Sequence, residues 1–186
     1  MGRYEVKKGA DPTVALNEAR LAIQKAIQGN PNDFESYFRL SEVDLVAARW
    51  AMRQDESPEP FFKKAGAAIH QALQLNPQNA DIYQTAAELY RWRAEWRLRR
   101  KWGTQEDIRQ GLAMIEKTLE INPQKAEAVA LQGALYLLQA QIRNSAERSE
   151  TAHRACETLV KALKMNSMLE HEYEPILNEA IKMAGK

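Results

Sequence analysis

The dipeptide Asn-Pro recurs at Asn30-Pro31, Asn76-Pro77 and Asn122-Pro123, at intervals of 46 residues, and a degenerate Asn166-Ser167 follows 44 residues later. A long fixed period means that one supersecondary unit is used repeatedly, which constrains the fold before any single residue does. Eleven positions before each Asn sits a small residue: Ala19, Ala65, Gly111 or Ala155. Seven before sits Ile23, Ile69, Ile115 or Leu159, and four before sits Ala26, Ala72, Thr118 or Ala162. These offsets follow one face of a helix. The small residues admit a neighbouring helix closely, and the aliphatics fill the space between.

The residues after each marker also match. Tyr37, Tyr83 and Val129 share a slot; Ser41, Ala87 and Gly133 lie four positions on, and Asp44, Tyr90 and Tyr136 three further. Trp50 and Trp96 share another, with Ile142 third. Each repeat therefore reads as two helices. The first runs from the marker for about 22 residues and the second returns to the next marker. Pro31, Pro77 and Pro123 lack a backbone N–H, which suits a helix start. Thr104 with Asp107 reads as a capping box, Asn144 with Glu147 as a weaker one. Ser57-Pro58 and Asp11-Pro12 pair a cap residue with an early proline, and Gly103 punctuates the turn of the third unit. No alternating β-branched run reads as a strand.

The pattern resembles the tetratricopeptide repeat: an aromatic, a small residue and a Tyr on the first helix, then Ala, an aliphatic and Ala on the second, closed by Pro. Tyr83, Ala87, Tyr90, Gly111, Ile115, Thr118 and Pro123 form one such unit, with Thr118 in place of Ala. The family period is about 34 residues. The extra residues fall between Tyr90 and Gly111, around the hairpin tip, and would lengthen each helix by roughly 9 Å. The resemblance implies an all-α helix-turn-helix repeat solenoid, a right-handed superhelix of about eight helices. Residues 1–10 are a flexible lead. Residues 11–30 are an orphan second helix; 31–76, 77–122 and 123–166 are full hairpins, so that the repeats span 11–168. Residues 169–186 form a capping helix.

A narrower resemblance lies in the "AL-LNP" repeat endings and the run Tyr90-Arg91-Trp92-Arg93-Ala94-Glu95-Trp96. Both are similar to C-terminal regions of large bacterial serine/threonine protein kinases. The ending Glu172-Tyr173-Glu174-Pro175-Ile176 is similar as well. The sequence contains no Gly-rich loop, His-Arg-Asp loop or Asp-Phe-Gly. The resemblance implies the non-catalytic regulatory part of a larger signalling protein, and Met1-Gly2 reads as an added start.

In tetratricopeptide proteins the first helices line a concave groove that takes peptides. The resemblance places Phe38, Glu42, Leu45, Val46, Gln84, Glu88, Arg91, Trp92, Leu137 and Leu138 there, with Ala130 and Ala134. The Lys and Asn of a carboxylate clamp are missing: their slots hold Phe38, Gln84, Ala130, Glu42, Glu88 and Ala134. An apolar peptide or amphipathic helix is the expected ligand.

Arg93, Arg97, Arg99, Arg100 and Lys101, interleaved with Trp92, Trp96 and Trp102, make a basic aromatic patch. It could bind RNA or single-stranded nucleic acid by charge and stacking. The favoured reading is a long helix whose tryptophans pack, Trp96 in the column of Trp50, and whose arginines are solvated, with Glu95 and Arg99 an i,i+4 pair.

The net charge of +1 gives no global field toward nucleic acid or membrane. One cysteine, Cys156, excludes an intrachain disulfide framework and is expected to be a buried thiol. His70, His153 and His171 have no metal-ligand spacing. The most apolar stretch, 126–142, is interrupted by Gln132, Gln139 and Gln141, and no signal peptide opens the chain. A cytoplasmic protein-binding module without catalytic residue, cofactor or metal is expected. The exposed apolar groove is compatible with a homodimer.

Overall fold

A computed structural model describes residues 11–185, with the backbone alone for Ser145 and Ala146; the expected lead over residues 1–10 lies outside the described residues. These residues contain eight α-helices and no strand: α1 (Thr13–Gly29), α2 (Phe34–Arg53), α3 (Glu59–Leu75), α4 (Ala80–Arg99), α5 (Gln105–Ile121), α6 (Ala126–Gln141), α7 (Ser145–Met165) and, after a 3₁₀ turn at Ser167–Leu169, α8 (Glu170–Ala184). The protein is all-α, and neighbouring helices pack on one another, consistent with a helical repeat.

The Asn markers end the second helices. Asn30, Asn76, Asn122 and Asn166 are the C-caps of α1, α3, α5 and α7, with φ between −134° and −152°. Each donates its backbone N–H to the carbonyl four residues back: Ala26, Ala72, Thr118 or Ala162. A residue before proline is driven out of the α region, so the first three helices must stop there. The Asn side chain then bridges the next residue: Oδ1 of Asn30 and Asn122 accepts across the proline, which has no N–H, from Asn32 and Gln124, and Oδ1 of Asn166 accepts across Ser167 from Met168.

The prolines do not start the next helices, contrary to the sequence expectation. Pro31, Pro77 and Pro123 lie in the turn, and α2, α4 and α6 begin three residues later. Asp33 caps α2, accepting from the N–H groups of Glu35 and Ser36, and Asn79 Oδ1 accepts from those of Asp81 and Ile82 at the start of α4. The capping box at Thr104 is also absent. Thr104 is the N-cap of α5 but accepts no side-chain bond, and Asp107 is committed elsewhere. At the hairpin tips Asp55 and Lys101 are left-handed, both at φ 59°, and Gly103 lies in the turn between α4 and α5. Glu56 N–H bonds to Ala51 C=O and Trp102 N–H to Arg97 C=O, matched six-to-one closures of α2 and α4.

The repeat extends further than the first three units. First helices start at Phe34, Ala80, Ala126 and Glu170. The cap α8 therefore occupies a fourth first-helix position, and Tyr173 joins the column of Tyr37, Tyr83 and Val129.

The chain divides into two compact units, Met1–Leu89 and Tyr90–Lys186, the boundary falling within α4. In the first, α1 packs on α2 and α2 on α3. Leu16, Val46 and Ala47 form a buried cluster with Val43, Trp50 and Phe61 against it. Arg20 reaches from α1 to the buried Asp44 carboxylate at 2.6 Å. In the second, α6 is packed by α5, α7 and α8. It is buried almost all round, which explains why its apolar residues show no single stripe. Val129, Ala134, Leu137, Leu159 and Tyr173 belong to the core there.

Candidate partner-binding surface

The basic run of α4 is largely spent on internal pairing. Asp107, in the first turn of α5, is 1% exposed in its side chain. Its Oδ1 accepts from Arg93 Nε at 2.8 Å and lies 2.6 Å from Nη2, while its Oδ2 accepts from Arg97 Nη1 at 3.0 Å. A carboxylate removed from water needs such compensation. Arg100 stacks over buried Trp96, 3.1 Å from the ring centroid, and Arg93 lies 5.1 Å from that of Tyr90. Arg99, Lys101 and Trp102 remain exposed, Trp102 to 54%.

The other side of α4 opens on a cavity of about 410 Å³ in the second unit. Helix α4 contributes Arg91, Glu95, Leu98 and Arg99; α6 contributes Ala134, Leu137, Leu138 and Gln141; α8 contributes Ile176 and Glu179. Its lining mixes these aliphatic side chains with charged ones, of which Arg91 is mostly buried. Arg91 Nε donates to Glu95 Oε1 at 2.8 Å, and the guanidinium lies 5.8 Å from the centroid of Tyr173. Burial alone would lower the Arg91 pKa, but the Glu95 charge beside it, with Tyr173 and Glu172, raises it, so this cation is permanent. Gln141 Nε2 donates to Glu179 Oε1 at 2.7 Å, tying α6 to α8 at the edge. Such a pocket can hold an apolar side chain among charges of both signs. A smaller cavity of about 350 Å³ lies between Ile108, Arg109 and Leu112 of α5 and Gln139, Ile142 and Arg143 after it.

Of the groove residues expected from sequence, Arg91, Ala134, Leu137 and Leu138 line the larger cavity, the last three themselves buried, and Trp92 does not line it. In the first unit Leu45 is 1% exposed, and Phe38 and Val46 are buried too. These three are core side chains, as Leu137 and Leu138 are, because the helices pack on the very face that the repeat pattern marks as apolar. Glu42 accepts from Arg39 at 2.7 Å, and Gln84 donates to Glu88 at 3.4 Å. Ile176 and Glu179 could not be found from periodicity alone, since their role depends on where α8 returns.

Cys156 is half-buried rather than buried, and desolvation raises its thiol pKa. No group of His, Cys, Asp and Glu that could hold a metal occurs among the described residues, and none of their helices is long and apolar enough to cross a membrane. No protein-family model matches this chain, and comparison with curated proteins returns no match either.

Proposed function

We propose that this chain is a protein-interaction module, a tetratricopeptide-like solenoid whose first helices present a groove to a partner polypeptide. The cavity between α4, α6 and α8 carries this reading. Leu98, Leu137, Leu138 and Ile176 in its lining suit one apolar side chain of the partner, and Arg91, Arg99, Glu95 and Glu179 suit the flanking polar backbone. The resemblance to bacterial kinase C-terminal regions supports a place as the cytoplasmic, non-catalytic regulatory part of a larger signalling protein. The alternative, binding of RNA or single-stranded nucleic acid through residues 90–102, rests on Arg99, Lys101 and Trp102. Asp107 and Trp96 engage Arg93, Arg97 and Arg100.

A displayed random-peptide library panned on the native protein tests both readings. Enriched peptides should carry an apolar anchor and bind with Kd in the micromolar range. Leu98→Asp should weaken them at least about tenfold. Lack of enrichment, or equal binding to the variant, overturns the groove reading. A single-stranded oligonucleotide bound with steep salt dependence would favour the alternative.

A further inference from the structure

The outward side of α1 differs from that of the other second helices. Val14, Glu18, Leu21 and Lys25 follow i, i+4, i+7 and i+11 along it and all are exposed, Val14 to 71% and Leu21 to 67%. The repeat puts Pro60, Lys64, Ala67 and Gln71 in these slots on α3, and Glu106, Gln110, Ala113 and Lys117 on α5. Neither set includes a large aliphatic. Beside the stripe, Ala22 and Ala26 are exposed, whereas their counterparts Ala68 and Ala72 on α3 are buried. The opposite face of α1, through Leu16 and Arg20, is already engaged with α2.

We propose that a second copy of this chain covers this face, α1 packing antiparallel on α1 across a twofold axis beside Leu21. The stripe is complementary to itself when turned end for end. Glu18 then faces Lys25 of the second copy, twice over, and Leu21 lies against the small Ala22. Val14 reaches Gly29, where even a Cβ would meet nothing within 4 Å. Parallel pairing would instead set Glu18 on Glu18 and Lys25 on Lys25, which like charges disfavour. An isologous contact needs only one patch, used by both copies. The surface is separate from the proposed peptide cavity, so each reading can fail alone.

Sedimentation equilibrium of the whole chain across the micromolar range tests this. The expected mass is twice the 21.2 kDa of one chain. Leu21→Gln and Glu18→Lys should each weaken the dimer at least about tenfold. Combining Glu18→Lys with Lys25→Glu should restore it, because the cross-pair re-forms with its signs exchanged. Circular dichroism of each variant checks that the helices remain. A mass of 21.2 kDa at every concentration overturns the proposal. So does a dimer insensitive to Leu21→Gln, or one that the double exchange fails to recover.

Discussion

Arg93 and Asp107 close the hairpin between α4 and α5: the guanidinium lies 2.6 Å from a carboxylate that is 1% exposed. Arg97 holds the other oxygen at 3.0 Å. Removing the carboxylate leaves two cations facing each other, both only partly solvated. Asp107→Ala should cost about 2–3 kcal/mol in urea unfolding. Arg97→Ala, which leaves Arg93 in place, should cost about 1 kcal/mol or less.

Gly133 and Gly111 occupy matched small-residue columns but tolerate substitution differently. A Cβ on Gly133 would stand 2.6 Å from Leu159 Cγ and 3.2 Å from the Ala155 carbonyl oxygen. A branch point and a backbone atom yield little, so Gly133→Ala should destabilise by about 1–3 kcal/mol despite the better helix propensity of Ala. A Cβ on Gly111 would meet the terminal methyls of Leu135 at 3.0 and 3.1 Å and Tyr90 Cβ at 3.4 Å. Those methyls can rotate aside, and Gly111→Ala should stay within about 1 kcal/mol of neutral. Parallel thermal melts separate the two.

Lys101 and Asp55 hold the left-handed position that closes α4 and α2. Glycine has no Cβ penalty there. Lys101→Gly should stabilise by about 0.5–1 kcal/mol, seen as a higher urea midpoint with an unchanged slope. If Lys101 instead made a contact worth more than the strain, the midpoint would fall.

Glu106 binds Arg109 and Gln110 on the surface of α5. The hydrogen bond from Arg109, then that from Gln110, lowers its pKa from 4.5 to about 2. A depressed carboxylate contributes stability that is present above its unfolded pKa and lost as pH falls through the folded one. The window therefore runs from about pH 4.5 down to about 2. A carboxyl-carbon NMR titration should find Glu106 still ionised well below pH 4.5, and Arg109→Ala should return its midpoint toward 4.5.

The period and helix ends were legible because they are encoded locally. Asn before Pro stops a helix within its own four residues, and apolar spacing of 3 and 4 marks a face wherever that helix lies. This is why the markers at Asn30, Asn76 and Asn122 end helices. Local spacing misleads where a residue has two chemically acceptable partners. Asp107 has the spacing of a capping box, yet two arginines of the preceding helix outbid the N-cap once the hairpin closed, since a charge buried to 1% exposure is better held by cations than by an amide dipole. Leu45, Val46, Leu137 and Leu138 have the spacing of a groove face, and packing made them core side chains.

By itself the sequence determined that this chain is an array of helical hairpins in a 46-residue register, because helix stops and faces depend on neighbours a few residues away. Only the tertiary structure decided that α8 returns as a fourth first helix, that Tyr173 lies beside Arg91, and that Ile176 and Glu179 wall a cavity with Leu137 and Leu138. Those meetings join residues as much as 88 positions apart, and what selects them is the apolar area and charge buried together when the helices close, which no local spacing records.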